Sequence, residues 1–278
     1  MTIRRRALPS GWYPGSSSEC KSDIEDLLRG FRPPEGTWKG GVAPHAGWFF
    51  SGRAAAKVIK TLSDSGPVDR VIVYGGHLPG AGDPIVYTED AWETPLGAHP
   101  MDTAFAMELV TAGEAVEAPR SFTDNTVEVQ LPFVAYFFPE VPIIAVHSPA
   151  SDQAVKLGEA VHGMLADKGL SAVFIGSSDL THYGPNYGFS PEGTGEAAVD
   201  WVKNQNDRSV IDKALEMDAP GVVADARSKH NTCSPGPIAS VIASCAKHGI
   251  SQGNLIEYYT SYDVMPGTSF VGYAAIVY

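Results

Sequence analysis

Cysteine is scarce in this chain of 278 residues: Cys20, Cys233 and Cys245 are too few, and odd in number, for a disulfide framework. Long apolar runs are missing as well, and none approaches the roughly 20 residues that would carry a helix across a bilayer. Positive charge is in deficit, with 20 Lys and Arg against 32 Asp and Glu, a formal net charge of −12. Nucleic acids and anionic membrane surfaces would repel such a chain at long range. Arg4-Arg5-Arg6 is a local exception, but Ala7-Leu8-Pro9-Ser10-Gly11-Trp12 behind it makes no apolar segment of the kind an export signal needs. The expectation is a protein of the cytoplasm with neither a nucleic-acid nor a membrane partner. No G-x-S-x-G elbow, Walker A loop or G-x-G-x-x-G fingerprint occurs. This weighs against esterase-type hydrolases, nucleotide hydrolases and dinucleotide enzymes.

What is present is an alternation of short apolar runs with helical periodicity. Val42-Ala43, Arg70–Tyr74, Pro84–Thr88, Pro142–His147 and Leu170–Gly176 have the length and composition of buried strands. Helical segments are predicted at Glu19–Leu28, Gly52–Leu62, Asp102–Thr111, Leu131–Phe138, Gln153–Asp167, over most of 195–227, and at Ile238–Lys247. Asn254–Tyr262 and Ser269–Tyr278 close the chain as an antiparallel pair at a sheet edge. The pattern implies an α/β fold, a central mixed, largely parallel sheet flanked by helices, in a single domain over residues 1–278.

Histidines follow several of these strands: His45 after Val42-Ala43-Pro44, His77 after Gly75-Gly76, His147, and His182 in Ser177-Ser178-Asp179-Leu180-Thr181-His182. Parallel strands release their carboxyl ends along one edge, so imidazoles distant in sequence can converge there as metal ligands or proton carriers. Asp179 would orient the His182 ring if the intervening turn is helical, or cap a helix, or both. Cys233 lies in His230-Asn231-Thr232-Cys233-Ser234-Pro235-Gly236-Pro237, ahead of a helix, where a thiolate is favoured. Cys245, inside an apolar helix, reads as a small buried hydrophobe. Glu128 is a carboxylate among apolar neighbours, in a site or a surface ion pair. His99, His162, His230 and His248 sit in polar or helical contexts, and most of them are not expected to be ligands. Spacing alone leads to a histidine-based metal site on an α/β edge.

Several motifs together add to this. Gly11-Trp12-Tyr13-Pro14-Gly15, Pro44-His45-Ala46-Gly47-Trp48, Thr94-Pro95-Leu96-Gly97, Val127–Phe133, Ser177–Gly184 and His230–Cys233 resemble the Memo family, also called AmmeMemoRadiSam system protein B. That family is similar in fold to the LigB-like class III extradiol ring-cleavage dioxygenases. The resemblance implies a metal pocket on His45, His77 and Cys233, with Asp179 and His182 lining it; His182 is then the candidate acid–base group, with Asp179 holding its ring in orientation. His147, Glu128, Trp48 and Ser178 are expected to line the same pocket. Ring-cleaving relatives have a carboxylate in place of the cysteine, completing an iron(II) triad. One motif departs: relatives read Gly-Pro-Ser-His-His where this chain has Gly75-Gly76-His77-Leu78. The expected cofactor is a divalent or redox-active metal ion, iron(II) or copper, with zinc allowed by the same donors. The expected function is a metal-dependent, oxygenase-like activity. The alternative is an accessory or signalling module that binds a peptide, small ligand or metal without turnover. The expected partner is a small molecule or peptide, and a homo-oligomer is left open.

Overall fold

Four strands run side by side in one direction through the middle of the protein, each apolar on both faces. In the computed structural model, which describes residues 1–278, the strands are β1 (Ile3–Arg4), β2 (Gly40–Ala43), β3 (Arg70–Leu78), β4 (Ile85–Val86), β5 (Ala91–Thr94), β6 (Gly97–Pro100), β7 (Val116–Glu117), β8 (Ile143–Pro149), β9 (Ala172–Ser177), β10 (His182–Tyr183), β11 (Asn254–Thr260) and β12 (Phe270–Val277). The helices are α1 (Ser17–Leu27), α2 (Trp48–Ser63), α3 (Thr103–Thr111), α4 (Asn125–Glu128), α5 (Leu131–Phe137), α6 (Gln153–Asp167), α7 (Glu196–Trp201), α8 (Asp207–Leu215), α9 (Ala219–Lys229), α10 (Pro235–Ala246) and α11 (Ser261–Val264). The main sheet has the order β10-β12-β2-β9-β3-β8-β4-β7, with β11 also paired to β12. Its centre, β2-β9-β3-β8, is parallel. Antiparallel β12 flanks β2, and antiparallel β4 flanks β8. A small second sheet joins β1, β5 and β6.

The strand period of two divides the core into two layers. Val71, Val73, Val173 and Ile175 pack with α1, α2 and α5, whereas Ile72, Tyr74 and Phe174 pack with α6, α9 and α10. Both faces are covered by helices, so the central strands read as continuous apolar runs rather than alternating ones. Helix α10 lies unusually close to the sheet. A Cβ on Gly40 would stand 2.6 Å from the Cys245 sulfur, and one on Gly176 would stand 2.6 Å from the Pro237 carbonyl oxygen.

The α/β class and most elements agree with the sequence reading, and the differences have local causes. Helix α2 begins at Trp48 rather than Gly52, because the Trp48 ring is buried and stacks on Phe133 with centroids 3.9 Å apart. Helix α10 begins at Pro235, where a proline suits a first turn that needs no N–H. Strand β8 continues two residues past His147. The expected strand at 84–88 contracts to Ile85–Val86. Of the two closing strands only β11 is an edge; β12 lies between β2 and the pair β10 and β11. Strands β1, β5, β6, β7 and β10 had no signal in the sequence, being two to four residues long.

Candidate metal centre

The sheet register brings the site together. Ala43 at the end of β2 lies beside Ser177 at the end of β9, and Gly75 of β3 lies beside His147 of β8. The segments Pro44-His45, Gly76-His77 and Ser178–His182 therefore leave the same edge, the usual place for a site in an open α/β sheet. His45 is buried and pinned from several sides. Its backbone N–H donates to Asp179 Oδ1 at 2.6 Å, and its carbonyl accepts from Asn125 Nδ2 at 3.0 Å. Its ring Nδ1 lies 3.3 Å from Ser177 Oγ and its Nε2 3.2 Å from Cys233 Sγ.

His77 sits on a bulge. The pairing of β3 with β8 slips between Gly75 and Leu78, and His77 takes the left-handed conformation, φ 64°. That backbone is costly for a residue with a Cβ, and a bulge of this kind re-aims the side chain. Here the ring meets His45 edge-on, with centroids 5.1 Å apart. Its Nδ1 lies 2.8 Å from Asp124 Oδ2, which leaves Nε2 free for another partner. Cys233 arrives from the turn before α10, its backbone N–H donating to the Asp179 carbonyl at 3.3 Å. One donor atom each from His45, His77 and Cys233 lies within 4.8 Å of the others.

Asp179 and His182 stand beside this group. Asp179 Oδ2 is 4.0 Å from His45 Nε2 and 3.8 Å from His182 Nε2. The expected helical turn and helix cap at Asp179 are both overturned. The segment runs into β10, which pairs with β12, so no helix follows, and the carboxylate instead receives the His45 amide. Nε2 of His182 is buried without a hydrogen-bond partner.

The electrostatics follow from the packing. Burial pushes the Cys233 thiol up, but the imidazoles of His45, His182 and His77 outweigh it and hold the thiol well below its ordinary value. Burial opposes charge on His77 and His182 too. Asp124 and Cys233 raise His77 to about 10, and Asp179 and Cys233 raise His182 to about 10. Without an ion these interactions favour a thiolate beside protonated imidazoles, and a cation entering the cluster competes with those protons. The donor set fits a metal ion. One soft thiolate with two imidazoles suits copper or zinc and accepts iron(II), and three protein ligands leave a coordination position open. Asp124 supplies the carboxylate that commonly orients a ligating histidine.

The other expected site residues are placed differently. His147 is buried with both nitrogens engaged, Nδ1 2.9 Å from the Gly76 carbonyl oxygen and Nε2 3.0 Å from the Tyr87 hydroxyl, and burial lowers its pKa. It braces the bulge that carries His77. Glu128 lies apart from the cluster, its carboxylate accepting from the Ala7 and Leu8 amides and, at 2.8 Å, from the Tyr13 hydroxyl. Trp48 is packed in the aromatic layer and donates to the Val129 carbonyl. Ser178 is buried, bonded to Thr232 Oγ1 at 2.6 Å, and so ties the two turns bearing Asp179 and Cys233.

Two cavities reach the cluster. One of about 410 Å³ is lined by His45, His77, Asp179 and His182 together with Trp12 and Phe50. The other, about 460 Å³, is lined by Cys233, His182, Phe189 and His230. Tyr187 belongs to both, its ring 4.8 Å from that of His182. Sequence reasoning assigned no role to Asp124, Ser177 or Tyr187. Asp124 was visible only as an ordinary loop acid in Asp124-Asn125-Thr126.

An α/β domain whose parallel strand ends gather two imidazoles and a thiol defines a candidate metalloprotein. The family model for Memo-like protein matches residues 4–277, and the chain belongs to that family. It is 32% identical over 282 residues to a MEMO1 family protein of Methanosarcina acetivorans, covering 100% of this chain and 99% of that one. It is 33% identical over 294 residues to a MEMO1 family protein of Methanopyrus kandleri, covering 99% and 98%. Among solved structures, an uncharacterised protein of Escherichia coli K12 superposes with a TM-score of 0.51 at 13% identity, over 78% of this chain and 90% of that one, a likeness of fold alone. No helix is long and apolar enough to cross a membrane.

Proposed function

We propose that this protein is a metal-dependent oxidoreductase of the oxygenase type, holding iron(II) or copper on His45, His77 and Cys233. The observation that carries the reading is the convergence of those three donor atoms within 4.8 Å at the carboxyl edge of a parallel sheet. A bound ion would supply Lewis acidity and a one-electron couple at an open coordination position. The chain's own residues do the rest. His182, whose Nε2 has no partner, holds a proton at the edge of the cavity, and Asp179 keeps that ring oriented. Asp124 fixes the tautomer and direction of His77. Trp12, Phe50 and Tyr187 wall the cavity with aromatic surface, suited to a small organic ring rather than a highly charged substrate.

A second reading, capture of a small ligand or peptide without turnover, draws support from the second cavity on the Cys233 side, which widens access beyond what one small substrate needs. Metal analysis of protein purified without added metal, followed by oxygen-consumption assays on catechols, tests the first reading. Stoichiometric metal and metal-dependent oxygen uptake are expected. Ligand binding that persists after chelation, with no oxygen uptake in any metal form, would favour the second.

A further inference from the structure

Behind the cluster the helical stretch 196–215 is interrupted. Val202–Asn206 form a π-turn between α7 and α8, and such a turn inserts a residue that re-aims the side chains around it. The last residue of the π-turn and the first of α8 are both polar and buried: Asn206 is 3% exposed and Asp207 is fully buried. Asp207 forms no salt bridge, since Arg208 beside it pairs with Asp212, and the positive charge that acts on it is that of the His182 ring, too weak to offset burial. Burying a carboxylate in this way opposes folding, and burial pushes its carboxyl up to about 7. Packing alone therefore gives no reason for an acid here.

The contacts of Asp207 give one. Oδ1 accepts the Thr181 backbone N–H at 3.0 Å and also the Thr181 hydroxyl, while Oδ2 accepts the Tyr258 hydroxyl at 2.7 Å. Space for the carboxylate is left by Gly272 of β12, where any Cβ would overlap Oδ2. The Gly272 N–H in turn donates to the Thr181 carbonyl at 3.0 Å. Thr181 immediately precedes His182. Asn206 completes the arrangement. Its Nδ2 donates to Thr181 Oγ1 at 2.9 Å, and its main-chain carbonyl accepts from Asn231 Nδ2 at 3.1 Å. Asn231 stands two residues before Cys233, and Leu180 and Thr232 form a β-bridge between the two turns.

We propose that Asn206 and Asp207, set inward by the π-turn, are positioning residues of the cluster: Asp207 fixes the turn that carries His182, and Asn206 locks that turn, through Asn231, to the one that carries Cys233. The inference rests on the metal-centre reading only for the second of its two readouts. The first is the histidine-ring proton–carbon spectrum of the metal-free protein. Asp207→Ala is expected to displace the His182 signals while those of His99 and His162 stay in place. The second is titration with cobalt(II) alone, followed by its thiolate charge-transfer absorption. Affinity is expected to fall about 10–100-fold, as for other groups that orient metal ligands. Asp207→Asn keeps an oxygen opposite the Thr181 N–H, and should restore both readouts to near the parent values. If Asp207→Ala does not fold, Thr181→Val removes one hydroxyl and should give the same displacement in weaker form. Unmoved His182 signals in the folded variants would overturn the proposal, as would an Asp207→Asn variant no better than alanine. If the parent protein itself takes up no cobalt, the metal-centre reading fails, and the His182 spectrum still decides the positioning role.

Discussion

Cys233 and Cys245 stand at opposite ends of α10 and show what an environment does to a thiol. Cys245 is sealed in the core against Gly40, and burial pushes its pKa far up. Cys233 is half-buried, and burial acts on it in the same direction, yet three imidazoles reverse the result. Burial by itself makes a thiol inert; a thiolate needs positive neighbours aimed at it. Helix α10 thus carries one cysteine that packs, and the turn leading into it carries one that can bind.

The largest test of that contrast is metal uptake. Cys233→Ser and His45→Ala should reduce stoichiometric metal content to near zero, whereas Cys245→Ser should leave it unchanged. Metal analysis of purified variants checks this, and full occupancy in either of the first two would remove that residue from the ligand set. Next comes the division between ligands and their neighbours. His182→Ala should keep most of its metal and lose about 10²–10⁴-fold of any turnover, and Asp179→Asn should lose less. Both quantities must be measured on the same preparations, because loss of metal in His182→Ala would make that histidine a ligand.

A third test reads the thiols directly. In metal-free protein at pH 7, iodoacetamide should modify Cys233 rapidly and leave Cys245 untouched until unfolding. His45→Ala removes one of the three imidazoles that oppose burial, so the thiol should rise toward its ordinary range and the labelling rate should fall several-fold. Equal labelling of both cysteines in the native state would end the comparison. The smallest effect concerns pH. Folding raises His77 from its ordinary 6.5 to about 10 through Asp124 and Cys233, against burial. The stability it contributes is complete below pH 6.5 and is lost as pH rises through 10. The His77 side chain is 38% exposed, so screening holds the gain to about 0.2–1 kcal/mol. The melting temperature of the metal-free protein should decline across that window, and Asp124→Asn should flatten the decline.

Much of the scaffold was legible because parallel strands covered on both faces leave unbroken apolar runs, and Arg70–Tyr74 and Leu170–Gly176 are such runs. The site was harder to read for a reason that His147 illustrates. In sequence it ends an apolar run just as His45 and His77 do. In the sheet it lies opposite Gly75, two residues before its strand ends, and both ring nitrogens are spent on Gly76 and Tyr87. A one-residue difference in register decides whether such a ring faces the edge or the interior, and register is invisible in one chain. Asp124 was hidden because an acid that caps the one-turn helix α4 looks like any loop acid. Glu128 illustrates the reverse. It was conspicuous as a carboxylate among apolar residues, and its partners proved to be amides at residues 7 and 8, more than a hundred positions away.

The closeness of α10 to its glycines has a consequence in time as well as in space. Pro235 to Cys245 are all buried, and the sheet beneath offers no side chains that could yield at Gly40 and Gly176. Amides of α10 can therefore reach solvent only when the whole domain opens, and should be among the last to exchange with deuterium. The two-residue strand β1, joined to the rest by the small sheet with β5 and β6, should exchange long before. Local breathing at that end of the molecule would then pass without disturbing the turn that carries Cys233, which leads directly into α10.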